Sequence, residues 1–408
     1  MLPLQGLRIL SVEQYGAGPY GSMQIADLGG EVIKIERPDE GGDMARGVGP
    51  YYDDAGESLF FHSFNRNKRS IALDLRHPEG RRVFEALVRD ADAVLNNLRG
   101  DLPEKLGLTY ATLGRVNPRI VCTSLSAYGR EVSRRDWPGY DYLMQAEAGY
   151  LSLTGEPGTP PARFGLSIVD MMSGLFAAFA LLAGVLSARA TGQGRDIDVS
   201  LFDCALQNLN YLATWYLNCG HVQGREPASA HPSLTPSQLY PTADHPVFIM
   251  CNKEKFWPAL CDALDMPELA GKAEFRRFPD RLRNRDRLNR ILSAKLRERG
   301  AAEWLERFAG RVPAAPVNDV AAALAGAHVE DSAQINRYAA GSGAEIRMVR
   351  APFRLPGEPL PQRAGPRFAA DTEALLAGLG LDAEAINRLA HIGVISLPQR
   401  PSGAAPPP

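Results

Sequence analysis

Leu7-Arg-Ile-Leu-Ser-Val12, then Gly16-Ala-Gly-Pro-Tyr-Gly21, then Glu31-Val-Ile-Lys-Ile-Glu36 are the stretches that decide the fold of this 408-residue chain. The first is an apolar run of strand length, and the last alternates as a half-buried strand. A glycine turn and a helical Gly21–Leu28 join them. Ser70–Leu75, Ala93–Leu98 and Arg119–Ser124 repeat the strand pattern, and Pro78–Asp90 reads as a helix with proline near its start. Strands alternating with helices predict an α/β fold around a parallel, doubly wound sheet, with ligands at the carboxyl ends of the strands.

Further along, Asp141–Thr154 reads as a helix ending at Gly155, followed by a Gly/Pro loop to Pro161. Gly194–Val199 is a strand and Ser200–Cys219 an amphipathic helix. Composition changes near Gly220: His221–Pro241 is irregular and Pro/Ser-rich, a linker or lid. Val247–Cys251 (strand), Lys253–Leu264 and Arg281–Arg297 (helices) suggest a smaller domain. Thr372–Ala377 and Ala383–His391 are short helices. The expected organisation is a Rossmann-like large domain from residues 1–200, a linker helix over 201–224 and a small α/β domain over 225–330. Residues 331–397 then return to the large domain, and 398–408 form a disordered tail.

Apolar residues make up 45% and charged residues 23%, ordinary values for a chain with a full core. A formal net charge of −2 calls for neither nucleic acid nor an anionic membrane. The five cysteines show neither zinc spacing nor a disulfide framework, which points to a reducing compartment, the cytoplasm. No signal peptide is expected, because the N-terminus reads straight into the strand pattern Leu7–Val12. Met171–Ala188 approaches membrane-span length, but its small residues and leading aspartate fit a buried helix better.

Asp170 stands where Gly165-Leu-Ser-Ile-Val gives way to that Ala/Leu-rich run. It either caps the helix through an orphan N–H or is an ionised carboxylate held in an apolar pocket to attack an electrophile. Gly16-Ala-Gly18-Pro-Tyr-Gly21, with Glu36 ending the next strand, outlines a dinucleotide fingerprint. Glu13-Gln-Tyr15 separates the strand from the first glycine, however, and Pro19 lacks a backbone donor beside the pyrophosphate position. Both features count against a nicotinamide oxidoreductase.

A series of motifs then carries a resemblance. Leu4-Gln-Gly-Leu-Arg-Ile-Leu10 and Gly16-Ala-Gly-Pro19 open it, followed by Ala26-Asp-Leu-Gly and Val32-Ile-Lys-Ile-Glu-Arg-Pro38 with Gly42-Asp43. Asn65-Arg-Asn-Lys-Arg-Ser-Ile-Ala-Leu-Asp74 is close to N-x-x-K-R-S-x-x-x-D. Asn97-Leu-Arg99, Lys105-Leu-Gly107, Gly139-Tyr-Asp141, Asp170, His231-Pro232, Thr242-Ala-Asp244 and Ala351-Pro-Phe353 complete the order. The chain resembles the family III CoA-transferases, which include the formyl-CoA:oxalate and carnitine enzymes of the CaiB/BaiF family.

That resemblance implies Asp170 as the nucleophile, with Gly16, Ala17, Tyr140 and Asp141 near the reacting thioester. It implies Arg37, Leu73, Asn97 and Lys105 around CoA, and Asn65–Arg69 as a basic loop that either lies near the CoA phosphates or is solvated surface. It further implies an acyl-CoA thioester as substrate with no permanent cofactor or metal, a carboxylic acid as acceptor, and an interlocked homodimer. The related 2-methylacyl-CoA racemases carry histidine where this chain has Tyr140, and a tyrosine with its ordinary pKa of ~10 is a poor base at neutral pH. Racemisation is thus a weaker reading than transfer, and the intact Asp170 argues against CoA binding without turnover. The Gly220–Pro241 segment lacks a glycine run, which argues against oxalate/formate specificity. His231 in it is either a ligand for a substrate carboxylate or a surface residue. Acids such as succinate, mesaconate, citramalate, malate and itaconate remain open.

Overall fold

A computed structural model describes residues 1–340, 343 and 345–398 of the chain. Apart from Pro398, the expected tail lies outside the described residues. The chain divides into two compact units: residues 1–148, 164–210 and the described residues from 333 onward form one, and residues 149–163 with 211–332 form the other.

In the first unit, β1 (Arg8–Val12) leads through a short turn into α1 (Ala17–Asp27) and back to β2 (Glu31–Glu36). After β3 (Arg69–Leu73) come α2 (Pro78–Arg89), β4 (Ala93–Asn96) and β5 (Val121–Ser126). Then follow α3 (Asp141–Glu147), α4 (Ile168–Thr191) and β6 (Arg195–Ser200). The strands form one sheet in the order β3-β2-β1-β4-β5-β6, all parallel. This is the doubly wound order, whose reversal point between β1 and β4 opens a crevice at the strands' carboxyl ends. The strands read as near-continuous apolar runs because both faces are covered. Phe84, Leu87 and Val88 of α2, for instance, pack with Leu10, Ile33, Ile71 and Val94.

Helix α1 begins at Ala17, four residues earlier than the sequence suggests, because Pro19 falls in its first turn, where a missing N–H costs nothing. α1 and α4 meet through small residues. A Cβ added to Gly21 would stand 2.3 Å from the Gly174 carbonyl oxygen, and one added to Gly174 would stand 2.3 Å from that of Ala17. Glycine at both points lets the backbones touch. By length and composition α4 could cross a membrane, but Gly174, Ala177, Leu181, Gly184 and Ala188 are buried in the unit.

The described C-terminal residues include an antiparallel pair, β10 (Ile335–Ala339) and β11 (Glu345–Val349), and helices over Thr372–Gly378 and Ala383–His391. β12 (Ile395–Ser396) pairs antiparallel with the edge strand β3, and Asp371 accepts from the Ser70 N–H at 2.9 Å.

The second unit holds an antiparallel sheet of β7 (Ser237–Tyr240), β8 (Val247–Met250) and β9 (Ala314–Pro316). Helices over Phe256–Ala263, Arg285–Leu296 and Ala301–Phe308 cover it around Trp257, Phe275 and Trp304.

Five sequence expectations change. The helix expected over Asp141–Thr154 stops at Glu147, since Gly149 takes φ +89°, and residues 149–163 group with the second unit rather than with 1–200. Ser200–Cys219 is two helices, Leu201–Asn208 and Tyr211–Cys219, separated at Asn210 with φ +47°. The unit boundary falls at that break, so 201–224 is not one linker helix. Nor is Gly220–Pro241 a loose lid. Residues 237–240 are β7, the Arg225 guanidinium donates to Leu151 O at 3.0 Å, and Arg285 donates to His231 O at 2.7 Å.

Candidate active site

The crevice between the ends of β1 and β4 is a cleft of about 180 Å³ lined by Tyr15, Gly16, Ala17, Asn97, Arg99, Trp137, Tyr140 and Asp170. Asp170 is the third residue of α4 and is 8% exposed. Its backbone N–H donates to Asp141 Oδ2 at 2.9 Å, while Asp141 Oδ1 accepts from Gln145 at 2.5 Å. Asp141 thus caps α4 from the start of α3, and the cap side chain is not Asp170 itself. That leaves the Asp170 carboxylate directed at the β1–α1 turn: a Cβ on Gly16 would stand 2.7 Å from Asp170 Oδ2.

Burial, and secondarily the negative charge of Asp141, push the Asp170 carboxyl up to about 7. A carboxylate this basic is a stronger nucleophile when ionised than a solvated one, and near neutral pH a large fraction is ionised. The first amides of α1, Ala17 and Gly18, follow Gly16 and have no acceptor inside their own helix. They are suited to an oxyanion.

The three glycines of the apparent dinucleotide fingerprint have other work. Gly16 makes room for Asp170, Gly18 lies against Asn97 (a Cβ would be 2.8 Å from Asn97 Cβ), and Gly21 lies against Gly174. At each of them the space a side chain would take is already filled.

A second cleft, of about 280 Å³, shares Gln14 and Leu98 with the first. Its apolar lining is Ile35, Leu73, Leu75, Leu98, Leu102 and Leu106, and Arg37 and Arg76 line it together with acidic residues that include Glu40 and Asp74. Arg37 Nη2 donates to Asp39 at 2.7 Å, and Arg76 donates to Asp39 at 2.8 Å and Asp74 at 3.0 Å. These arginines are neutralised by exposed carboxylates that an incoming phosphate could displace.

Gly16, Ala17, Asn97, Tyr140 and Asp170 therefore share one cleft, with Asp141 buried beside it, while Arg37 and Leu73 line its neighbour. Among the described residues Lys105 lines neither: it is exposed and donates to Asp101 at 2.6 Å. Asn97 spends its amide on Gln14, donating to its carbonyl at 2.8 Å and accepting from its N–H at 2.8 Å.

Asn65–Arg69 is not an exposed basic loop. Lys68 is buried on Glu13, Pro19 O and Asn65, while Arg66 grips Asp27 and Arg69 grips Glu31 and Asp371. His231, in the second unit, accepts the Ser233 and Leu234 amides on Nδ1 at 3.1 and 3.2 Å, which is a turn-capping role. Sequence reasoning missed Arg76 and Trp137. Arg76 could have been found as the cation just beyond β3, at a ligand-facing strand end.

The site thus brings a buried carboxylate at a helix start up to a glycine turn, next to a second cleft that holds Leu73, Arg37 and Arg76. The family model for CoA-transferase family III matches residues 4–372. The chain belongs to this family. It is 32% identical over 392 residues to the succinate–glutarate CoA-transferase of Agrobacterium fabrum, covering 92% of this chain and 96% of that one. It is 36% identical over 327 residues to the acetyl-CoA:oxalate CoA-transferase of Acetobacter aceti, covering 79% and 82%. Among solved structures, a CaiB/BaiF family protein from Brucella suis superposes with a TM-score of 0.80 at 31% identity, covering 93% of this chain and 99% of that one. The chain is thus a CoA-transferase of a parallel-sheet α/β fold.

Proposed function

We propose that this enzyme moves CoA from a small dicarboxylyl thioester such as succinyl-CoA to a second carboxylic acid, through covalent intermediates on Asp170. The observation that carries the reading is the close approach of the Asp170 carboxylate to Gly16 in a cleft that shares Gln14 and Leu98 with a second, more apolar one. In this reading the adenine lies among Leu73, Leu75 and Leu102, the phosphates draw Arg37 and Arg76 off their acidic partners, and the thioester reaches Asp170.

Asp170 attacks the thioester carbonyl, the C–S bond breaks, and an acyl-aspartyl anhydride and CoA thiolate result. The thiolate attacks the aspartyl carbonyl, releasing the donor acid and leaving an aspartyl-CoA thioester. The acceptor carboxylate attacks that thioester, expelling CoA thiolate and giving a new anhydride; the thiolate then attacks the acyl carbonyl of the anhydride, forming the product thioester and freeing the Asp170 carboxylate. Bonds of similar energy are exchanged throughout, so neither ATP nor metal is required. Tyr140, 58% exposed at the edge of the cleft, is placed to contact the acyl group.

The succinate and glutarate named for the bacterial relative support a dicarboxylate acceptor. The acetyl-CoA:oxalate relative keeps oxalate in the test panel, although this chain lacks the glycine run expected for oxalate/formate exchange.

The same reading includes a homodimer in the reducing cytoplasm. Phe179 and Leu186 on α4 are exposed at 74% and 70%, an apolar face that a second copy would cover. All five cysteines are free. A monomeric mass in sedimentation equilibrium would remove the dimer.

The functional test is mass spectrometry of the protein incubated with succinyl-CoA and trapped with hydroxylamine or borohydride. The expected adduct lies on the peptide holding Asp170 and is absent from Asp170→Ala. Turnover retained by Asp170→Ala overturns the assignment.

A further inference from the structure

The turn that brings Gly16 against Asp170 is held in an unusual way. Between the end of β1 and the start of α1, four successive backbone polar groups are each bonded to a side chain. The Glu13 carbonyl accepts from Lys34 Nζ at 2.9 Å. The Gln14 N–H donates to Asn97 Oδ1 and the Gln14 carbonyl accepts from Asn97 Nδ2, both at 2.8 Å. The Tyr15 N–H donates to Asp43 Oδ1 at 3.0 Å.

These side chains come from three places: the middle of β2, the loop after β2 and the end of β4. Two are themselves locked. Lys34 is fully buried and pairs with Asp43 Oδ2 at 2.8 Å, while the Asp43 N–H donates to Glu36 Oε2 at 2.9 Å. Glu36 in turn is gripped by both arms of Arg46 at 2.7 and 2.8 Å. Tyr15 sits at φ +67°, the left-handed region that a residue with a side chain enters only when its surroundings impose it.

Burying a lysine and two carboxylates is costly, and here they are spent on one turn. We propose that Lys34, Asp43 and Asn97 are positioning residues that clamp the Glu13–Tyr15 turn in its left-handed form, so that Gly16 and the amides behind it meet the group attacked by Asp170. Asn97 then acts on the reaction through the turn and not by holding CoA. The inference rests on the reading of Asp170 as nucleophile only where kinetics are concerned.

Asn97→Ala is the first variant, since it orphans no buried charge. The clamp predicts at least tenfold faster amide hydrogen exchange in the peptide spanning residues 13–20, read by mass spectrometry. It also predicts a roughly 10- to 100-fold fall in kcat for transfer from succinyl-CoA to glutarate, and a CoA Kd within about twofold of wild type, because a misplaced near-attack geometry costs rate and not binding. Unchanged exchange overturns the clamp whatever the activity. A raised Kd with unchanged kcat overturns the role of Asn97 in favour of direct CoA contact. If exchange rises as expected but wild-type protein transfers no CoA, the clamp stands and the functional reading falls.

A rescue experiment addresses the backbone directly. In an Asp43→Asn background, Tyr15→Gly should recover slow exchange and part of kcat, because glycine adopts positive φ freely. Tyr15→Ala, which removes the same ring but keeps the penalty, should not. Equal behaviour of the two doubles would show that the φ of residue 15 is not what the clamp controls.

Discussion

Gly16 and Asp170 are in such close approach that a single added carbon on Gly16 would fall 2.7 Å from the carboxylate oxygen Oδ2. The contact joins two segments more than 150 residues apart, and the chemistry proposed for this enzyme happens across it.

Gly16→Ala should therefore fold and bind CoA but transfer it poorly. The added methyl must displace the carboxylate, since the turn behind it is fixed. A fall of at least 100-fold in kcat is expected, with the CoA Kd changed less than threefold by calorimetry. Activity within twofold of wild type would show that the carboxylate does not work from this position.

The raised pKa of Asp170 makes two linked predictions about pH. In the proposed mechanism only the ionised form attacks, so kcat/KM should climb about tenfold per pH unit below pH 7 and level off above about 7. For stability the sign is the reverse of an ordinary salt-bridged aspartate. Burial penalises the charged form, so the cost is absent below the unfolded pKa near 3.8, grows between there and about 7, and is complete above. Asp170→Asn should then stabilise the protein at pH 8, with a ceiling of about 4 kcal/mol at 1.36 kcal/mol per pKa unit, and make little difference at pH 4. Thermal unfolding at the two pH values checks it, and a variant less stable than wild type at pH 8 contradicts it.

Arg37→Ala and Arg76→Ala should raise KM for the acyl-CoA by roughly tenfold each, with kcat held, if they receive the phosphates of CoA. The effect should shrink as salt rises, because both side chains lie in solvent reach. Initial rates at low and high ionic strength measure it. Lys105→Ala, which alters an exposed pair with Asp101, should leave KM within twofold.

The sequence shows the strand–helix alternation because each element carries its own period and caps. Ala383–His391, with Asp382 capping it, can be read to the residue for that reason. Strand order is not local, and neither is the pairing of β12 with β3 across some 300 residues. Asp170 stands out as a charge at the head of an apolar helix, yet its cap partner Asp141 lies 29 positions away, and only the fold reveals that the capping belongs to one and leaves the other free for chemistry. Asn97, Lys34 and Lys68 read as binding or surface residues by type. Burial, which sequence does not display, makes Lys34 and Lys68 internal fasteners, and Asn97 spends its amide on the Gln14 backbone. The break at Asn210 escaped because an asparagine inside an amphipathic pattern gives little local warning of a left-handed turn.

The backbone-to-backbone crossing of α1 and α4 at Gly21 and Gly174 has its own consequence. Both helices begin at the cleft proposed for the reaction, so their first turns behave as the two jaws of a vice whose pivot lies only one turn away. Widening the pivot by a methyl opens the jaws before it loosens the core. Damage at this deep, chemically inert spot would register first as a slow enzyme, in a protein that still melts as a folded one.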